Sequence, residues 1–253
     1  MIEVKHLNKS FDDKQVLYDI SATFRHGAVN QIIGKSGSGK TVLMKSIIGL
    51  FQAESGEILY DGRNLMDMGR SEVKLLRREI GMLFQGSALF DSMSVIENVL
   101  FPLQMFSDMS KIEMEKRAKF CLQRVNLNKE AYHLMPGEVS GGMQKRVAIA
   151  RAISLNPKYL FCDEPNSGLD PVTSLVIDKL IEDITHEFDI TTIINTHDMN
   201  SIMEIGANII LIDKGHNGWQ GSKDEIFTTE NQALNDFVFA SELNQKVKAA
   251  QLK

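Results

Sequence analysis

One run of eight residues, Gly34-Lys35-Ser36-Gly37-Ser38-Gly39-Lys40-Thr41, narrows the possible folds more than any other feature of the chain. It matches G-x-x-x-x-G-K-[ST] in full. It follows Val29–Ile33, which reads as a strand, and opens an apolar-striped helix expected over residues 40–50. In a strand–turn–helix setting the glycines let successive backbone N–H groups turn inward around an anion, and the helix start adds a positive dipole end. Lys40 is then suited to the β- and γ-phosphates of a nucleoside triphosphate. Thr41 suits Mg²⁺, with Val42 continuing the first turn.

The rest of the chain has the rhythm that such a loop requires. Near-continuous apolar runs at 80–84, 159–162, 191–194 and 209–212 fit strands buried on both faces of a mainly parallel sheet. Helices supply the crossovers, among them 171–187, where Pro171 suits a first turn. Residues 1–24 with 56–60 alternate as antiparallel strands do. Residues 87–139 read as mostly helical. Ser94 and Glu97 form a capping-box pattern there, and Met114, Ala118, Cys121, Leu122 and Val125 fall at helical spacing. The expected fold is α/β: a P-loop (RecA-like) core over 1–86 and 146–230, with an antiparallel β subdomain at its start. An α-helical subdomain is inserted over 87–145, and a helical extension follows over 231–253. Just before that extension Ser222 and Glu225 suggest a further cap; the extension itself is either a terminal helix on its own subunit or an arm on the partner, and the late apolar Phe237, Val238, Phe239 and Leu243, in an amphipathic stretch, favour the arm.

Two acids, Asp163 and Glu164, end the apolar run 159–162. A buried strand that exits into paired acids places them at the carboxyl edge of the sheet, where open α/β folds bind ligands. Beside a phosphate loop, Asp163 suits the Mg²⁺ shell and Glu164 suits a base that polarises the attacking water; alone, the pair reads as an ordinary strand exit. His197 follows the next apolar run and could reach a γ-phosphate or simply face solvent. Gln85 ends the run 80–84 in the same manner, where an amide could ligate Mg²⁺, orient water or be merely structural. Ser140-Gly141-Gly142 precedes a helix expected over 145–155, which makes it either a simple cap or a second anion-binding start. The chain has one copy of each of these features, so a second anion site suggests another molecule's nucleotide.

This ordered set resembles the ATP-binding cassette family over about residues 1–227. The set is the phosphate loop, Gln85, Ser140-Gly141-Gly142, Asp163-Glu164, Ser167-Gly168-Leu169-Asp170 and His197. The resemblance implies an ATPase using ATP and Mg²⁺, built as a homodimer. In it Phe11 stacks on adenine in place of the usual Tyr, and Gln85 senses Mg²⁺ and the membrane partner. Ser140, Gly141 and Gly142 grip the γ-phosphate held by the opposite subunit, Asp170 crosses the dimer interface, and His197 is the switch histidine. Val139 and Met143 replace the signature's usual flanking Leu and Gln, and Asn166 stands where Thr is frequent. Residues 80–95 together with Met143 are similar to the ATPases of Mla-type phospholipid-trafficking systems. That likeness implies an integral membrane permease docking near residues 85–96; the apolar Leu89, Phe90, Val95 and Ile96 are its expected groove, with at least part of these side chains serving the core of the helical subdomain instead. It further implies a substrate-binding MCE-domain protein, a small regulatory subunit, and a place on the cytoplasmic side of the inner membrane.

A net charge of -5 lacks the basic footprint of a nucleic-acid binder. Cys121 and Cys162 have neither disulfide nor zinc spacing, which suits a reducing compartment. No signal-peptide pattern and no long apolar run is present, so any membrane role is expected through other chains. Single motif copies and the lack of heptads disfavour soluble cassettes that act on nucleic acid or translation, and intact Glu164 and His197 disfavour a non-hydrolysing regulator.

Overall fold

The computed structural model describes residues 1–251. Leu252 and Lys253, which the expected extension includes, and the side chain of Leu243 lie outside the described residues. In chain order the elements are β1 (Ile2–Phe11), β2 (Lys14–Phe24), β3 (Val29–Ile33), α1 (Lys40–Ile47), β4 (Ser55–Tyr60), β5 (Arg63–Asn64) and α2 (Arg70–Arg78). Next come β6 (Ile80–Leu83), α3 (Val95–Phe106), α4 (Lys111–Arg124), α5 (Gly141–Ala152), β7 (Tyr159–Asp163) and α6 (Pro171–Glu187). The last are β8 (Thr191–Asn195), α7 (Met199–Ile205), β9 (Asn208–Asp213), β10 (His216–Gly221), α8 (Gln232–Val238) and α9 (Glu242–Gln251). The chain forms two compact units, one from residues 1–69 with those from 193 onward, the other from residues 70–192.

The first unit has two sheet parts. An antiparallel sheet of order β2-β1-β4-β5 grows from alternation that buries Ile2 and Val4, and a register shift before Leu7, where His6 adopts φ +51°, allows Leu7 to be buried as well. The core strands β3 and β9 pair in parallel, Ile33 opposite Leu211, and β10 adds antiparallel to β9. All five residues of β3 are buried, and its two polar ones are met by hydrogen bonds: Asn30 Nδ2 donates to the Arg25 and Ala28 carbonyls at 3.0 and 3.1 Å, and Gln31 Nε2 to the Ser201 carbonyl at 2.9 Å. Each fully buried Ile or Leu here stabilises by about 1.5–3 kcal/mol.

The tail departs from expectation. Instead of one amphipathic stretch it forms α8 and α9, and Val238 and Phe239 bury into the chain's own core beside Ile226, Leu234 and Leu211. Asn231 caps α8, its side chain accepting from the Leu234 N–H at 2.9 Å. Asn244 and Gln245 of α9 donate to the Val238 and Phe239 carbonyls at 2.8 and 3.1 Å. The apolar character of Val238 and Phe239 is thereby satisfied within the unit and gives no argument for a partner contact. The Ser222–Glu225 box exists, but it closes a single 3-10 turn, Lys223–Glu225, and starts no longer helix.

In the second unit β6 and β7 pair in parallel, Leu83 opposite Cys162. Residues 87–145 contain helices and no strand, as the expected helical insertion requires. The Ser94–Glu97 box is formed: the Ser94 N–H and hydroxyl both donate to the Glu97 carboxylate at 2.7 Å. Two expected helix limits shift. The phosphate-loop helix α1 ends at Ile47, where Gly49 adopts φ +75°. Helix α5 begins at Gly141, because Ser140 caps it, and ends at Ala152, before Asn156 turns the chain with φ +55°.

Candidate functional site

The functional side chains occur on both units, and the phosphate loop belongs to the first. Gly34, Gly37 and Gly39 adopt φ of +143°, +76° and +110°. A Cβ on Gly34 would lie 2.2 Å from the Ile212 carbonyl oxygen, so no other residue fits there. The Ser38 N–H donates to the Lys35 carbonyl at 3.1 Å, and the Gly215 N–H to the Ser38 carbonyl at 2.9 Å. Lys40 is buried, its Nζ donating to the Gly34 and Lys35 carbonyls at 2.8 and 3.1 Å. The ammonium thus sits within the loop it closes. Lys35, Ser36 and Gly37 stay exposed, and Ser38 is buried with a hydroxyl that has no partner among the described residues. Val42 is half-buried in the first turn of α1.

Thr41, exposed at the start of α1, is oriented by a residue the sequence reading did not single out: Asn195 Nδ2, at the end of β8, donates to its Oγ1 at 3.2 Å. The only sequence clue was the position of Asn195 just before His197. His197 is exposed beyond β8, and Asp198 caps α7 through the Asn200 N–H at 2.9 Å. Phe11 ends β1 and borders a cleft that Gln15, Val16, Tyr18, Gly37 and Ser38 also line. Phe11 and the phosphate loop therefore share one cleft within one unit.

The second unit carries the acids and the signature. Asp163 closes β7, and Glu164 follows with φ +46°, a left-handed conformation that costs a non-glycine residue about 1–3 kcal/mol. Ser140 is exposed and caps α5, its hydroxyl accepting from the Met143 N–H at 3.3 Å. Gly141 is exposed and Gly142 half-buried, and both share a surface hollow with Gly168, Leu169 and Asp170. The structure thus brings together two stretches that were only inferred separately. Asp170 caps α6, accepting from the Val172 and Thr173 N–H groups at 3.1 and 3.0 Å and from the Thr173 hydroxyl at 2.5 Å. The Thr173 hydroxyl and N–H, its strongest partners, hold its carboxyl below the usual carboxylate range.

Gln85 is exposed just past β6, its side-chain amide donating to Ser167 Oγ at 3.4 Å. The loop that follows is held by residues the sequence reading missed. Lys145 of α5 is buried and donates to the Gln85 carbonyl. Burial pulls Lys145 below the ordinary lysine range, opposed by Cys162 and Glu164. Ser87 and Ala88 both adopt positive φ, +62° and +47°, and the Arg151 guanidinium donates to both their carbonyls at 2.7 Å. Asn98, fully buried, donates to the Phe90, Met93 and Ser94 carbonyls and accepts from the Phe90 N–H. A polar residue on the apolar face of a helix was the one available signal. The four side chains expected in the docking groove divide between surface and core. Phe90 is exposed, but Val95 and Ile96 are buried in the helical core, since α3 turns them inward. The groove present instead is lined by Phe84, Ala88, Phe90, Phe101, Pro102 and Phe106, with Arg70, Lys74, Arg77 and Arg78 of α2 along it.

Among the described residues no helix is long and apolar enough to cross a membrane, and no group of three or more His, Cys, Asp or Glu could hold a metal ion. A family model described as ABC transporter matches residues 17–167. The probable ribonucleotide transport ATP-binding protein mkl of Mycobacterium leprae is 37% identical over 237 residues, which is 94% of this chain and 68% of that one. The chain thus spans about two thirds of that relative's length. The glutamine transport ATP-binding protein GlnQ of Escherichia coli is 38% identical over 239 residues, covering 94% of this chain and 98% of that one. Among solved structures, a dimeric post-hydrolysis state of an ATP-binding cassette bound to ADP and Pi matches with a TM-score of 0.79. It is 31% identical and covers 88% of this chain and 99% of that one.

Proposed function

Because the chain belongs to the ABC transporter family, we propose that two copies of it form an ATP-driven motor for a membrane permease. The chain is an ABC ATPase, converting ATP and water to ADP and phosphate. The observation that carries the nucleotide reading is the phosphate loop: three positive-φ glycines, one of them at a position a Cβ would fill, close on a buried lysine. In this reading Lys40 and the loop N–H groups hold the β- and γ-phosphates. By residue type each unit has a group that fits Mg²⁺, which favours hard oxygen ligands and keeps water: the first an oriented Thr41 hydroxyl, the second a strand-end Asp163 carboxylate. Bound there, Mg²⁺ would neutralise phosphate charge. Glu164 takes the proton of the attacking water, Gln85 orients that water, and His197 contacts the γ-phosphate.

One chain has a single signature, so Ser140, Gly141 and Gly142 are assigned to the ATP of the second copy in a C₂ pair. Asp170 is spent on its own helix cap, so it serves the interface through the loop shape it imposes. The aromatic groove beside Gln85 is the proposed permease seat. Its cationic edge suits a helix that presents apolar and acidic side chains together. Lipid trafficking remains our choice of substrate, supported by residues 80–95 and Met143, with an MCE-domain protein and a small regulatory subunit as companions on the cytoplasmic face of the inner membrane. Import of a small solute is the second reading, favoured by relatives named for ribonucleotide and glutamine transport. Purifying the chain with its membrane partners and analysing co-extracted phospholipid decides between them. Capture of a solute permease without bound lipid would end the lipid reading.

A further inference from the structure

We infer that Lys9, held in place by Glu54, is a positioning residue for the aromatic ring on which the nucleotide base stacks. This rests on the reading of Phe11 as the base platform. Phe11 is 39% exposed at the edge of the cleft it shares with the phosphate loop. A partly exposed phenyl ring with no hydroxyl cannot be fixed by a hydrogen bond of its own, so ordering it on binding costs side-chain entropy.

The surroundings of Phe11 remove that cost before the base arrives. The Lys9 ammonium lies 4.8 Å from the Phe11 ring centroid. Lys9 is only 9% exposed, unusual for a lysine, and its charge is met by Glu54 Oε1 at 2.6 Å. The second carboxylate oxygen accepts from the Ser10 N–H at 2.7 Å, which locks Glu54 to the strand that carries both Lys9 and Phe11. Glu54 thus sets Lys9, and Lys9 sets the ring. From the other direction Phe51 meets Phe11 edge to face, centroids 5.1 Å apart at 81°. The Phe51 N–H donates to the Lys45 carbonyl at 3.2 Å, within the helix that begins at Lys40. The base platform and the phosphate loop are therefore braced by one framework, and a cation over a phenyl face substitutes for the missing tyrosine hydroxyl as the ring's anchor.

The test compares ATP with inorganic tripolyphosphate, which has the phosphates and no base, by calorimetry and steady-state kinetics. Lys9→Met and Glu54→Gln should raise KM and Kd for ATP about two- to tenfold, the range a cation–π contact spans. They should leave kcat and tripolyphosphate affinity within twofold, and Lys9→Arg should restore ATP affinity. Wild-type ATP affinity in Lys9→Met, or an equal loss for tripolyphosphate, would overturn the proposal. Phe11→Ala separates the two layers: if it binds ATP as the wild type does, the base-platform reading fails. If Phe11→Ala loses affinity and Lys9→Met does not, only the role of Lys9 falls.

Discussion

The phosphate loop and the loop after Gln85 both depend on backbone in the left-handed region, and they reach it by opposite means. In the first, glycines occupy the positive-φ positions, and the bonds that Ser38 N–H and Lys40 donate stay within eight residues, with the Gly215 N–H on the Ser38 carbonyl as the one distant brace among them. In the second, Ser87 and Ala88 adopt the same region without being glycine. Arg151, some 60 residues away in sequence, holds both their carbonyls, while Lys145 holds the Gln85 carbonyl before them and Asn98 from the following helix the Phe90 carbonyl after them. A loop whose own glycines permit its conformation asks only a few bonds of its surroundings. A loop propped from outside moves when its props move. The propped loop borders the aromatic groove proposed for the permease, which is where motion is useful.

Five tests sharpen or break this comparison. Glu164→Gln leaves both loops intact and sets the upper limit of effect: kcat should fall about 10²- to 10⁴-fold while ATP still binds, read by phosphate release. Turnover at the wild-type rate would remove Glu164 from the reaction. Lys40→Ala strikes the self-contained loop. It should weaken ATP binding roughly 10- to 100-fold, since a charge-assisted phosphate contact is lost, with little change in urea midpoint. A large loss of stability there would show that the loop is not self-supporting.

Arg151→Met strikes the propped loop and should do the reverse. Two strained residues lose their shared donor, so stability should drop about 2–3 kcal/mol, and hydrogen exchange at Ser87 and nearby amides should quicken. Asn98→Ala should cost about 1–3 kcal/mol by orphaning buried groups, with ATP affinity kept within about twofold. The smallest effect comes from acid. The Ser94 hydroxyl and N–H hold Glu97 below its usual 4.5, and Ser110 does the same for Glu113. A carboxylate with a depressed folded pKa stabilises above 4.5, and that contribution is lost as pH falls through its folded value. Urea midpoints should decline below pH 4.5, and less steeply in Glu97→Gln. An unchanged slope in that variant would show that the cap is not what titrates.

The same contrast explains what was legible. The motif 34–41, the buried runs that became β3, β7, β8 and β9, and the Ser94–Glu97 box could be read because each signal is local: composition, periodicity or a three-residue spacing. Which of Leu89, Phe90, Val95 and Ile96 belong to groove and which to core stayed open, because apolarity does not say which way a helix faces; Val95 and Ile96 went to the core. Val238 and Phe239 were misread as partner-facing because a late position in sequence says nothing about where a core needs filling. Asn195, Lys145, Arg151 and Asn98 act on residues far away in the chain or along a buried helix face, and no local pattern marks them.

The first unit is sewn from two distant stretches, and this orders events at the ribosome. Residues 70–192 emerge while β3 still lacks β9, and domains fold in the order in which they can be completed. The phosphate loop acquires its last supports, the Ile212 carbonyl behind Gly34 and the Gly215 N–H on Ser38, only after some 170 further residues have been made. A chain caught mid-synthesis therefore has the nucleotide motif spelled out in full but not yet shaped to hold a nucleotide. Pairing across so long a separation is also the slow step in such a topology. Competence to bind ATP consequently reports that the whole first unit has been assembled.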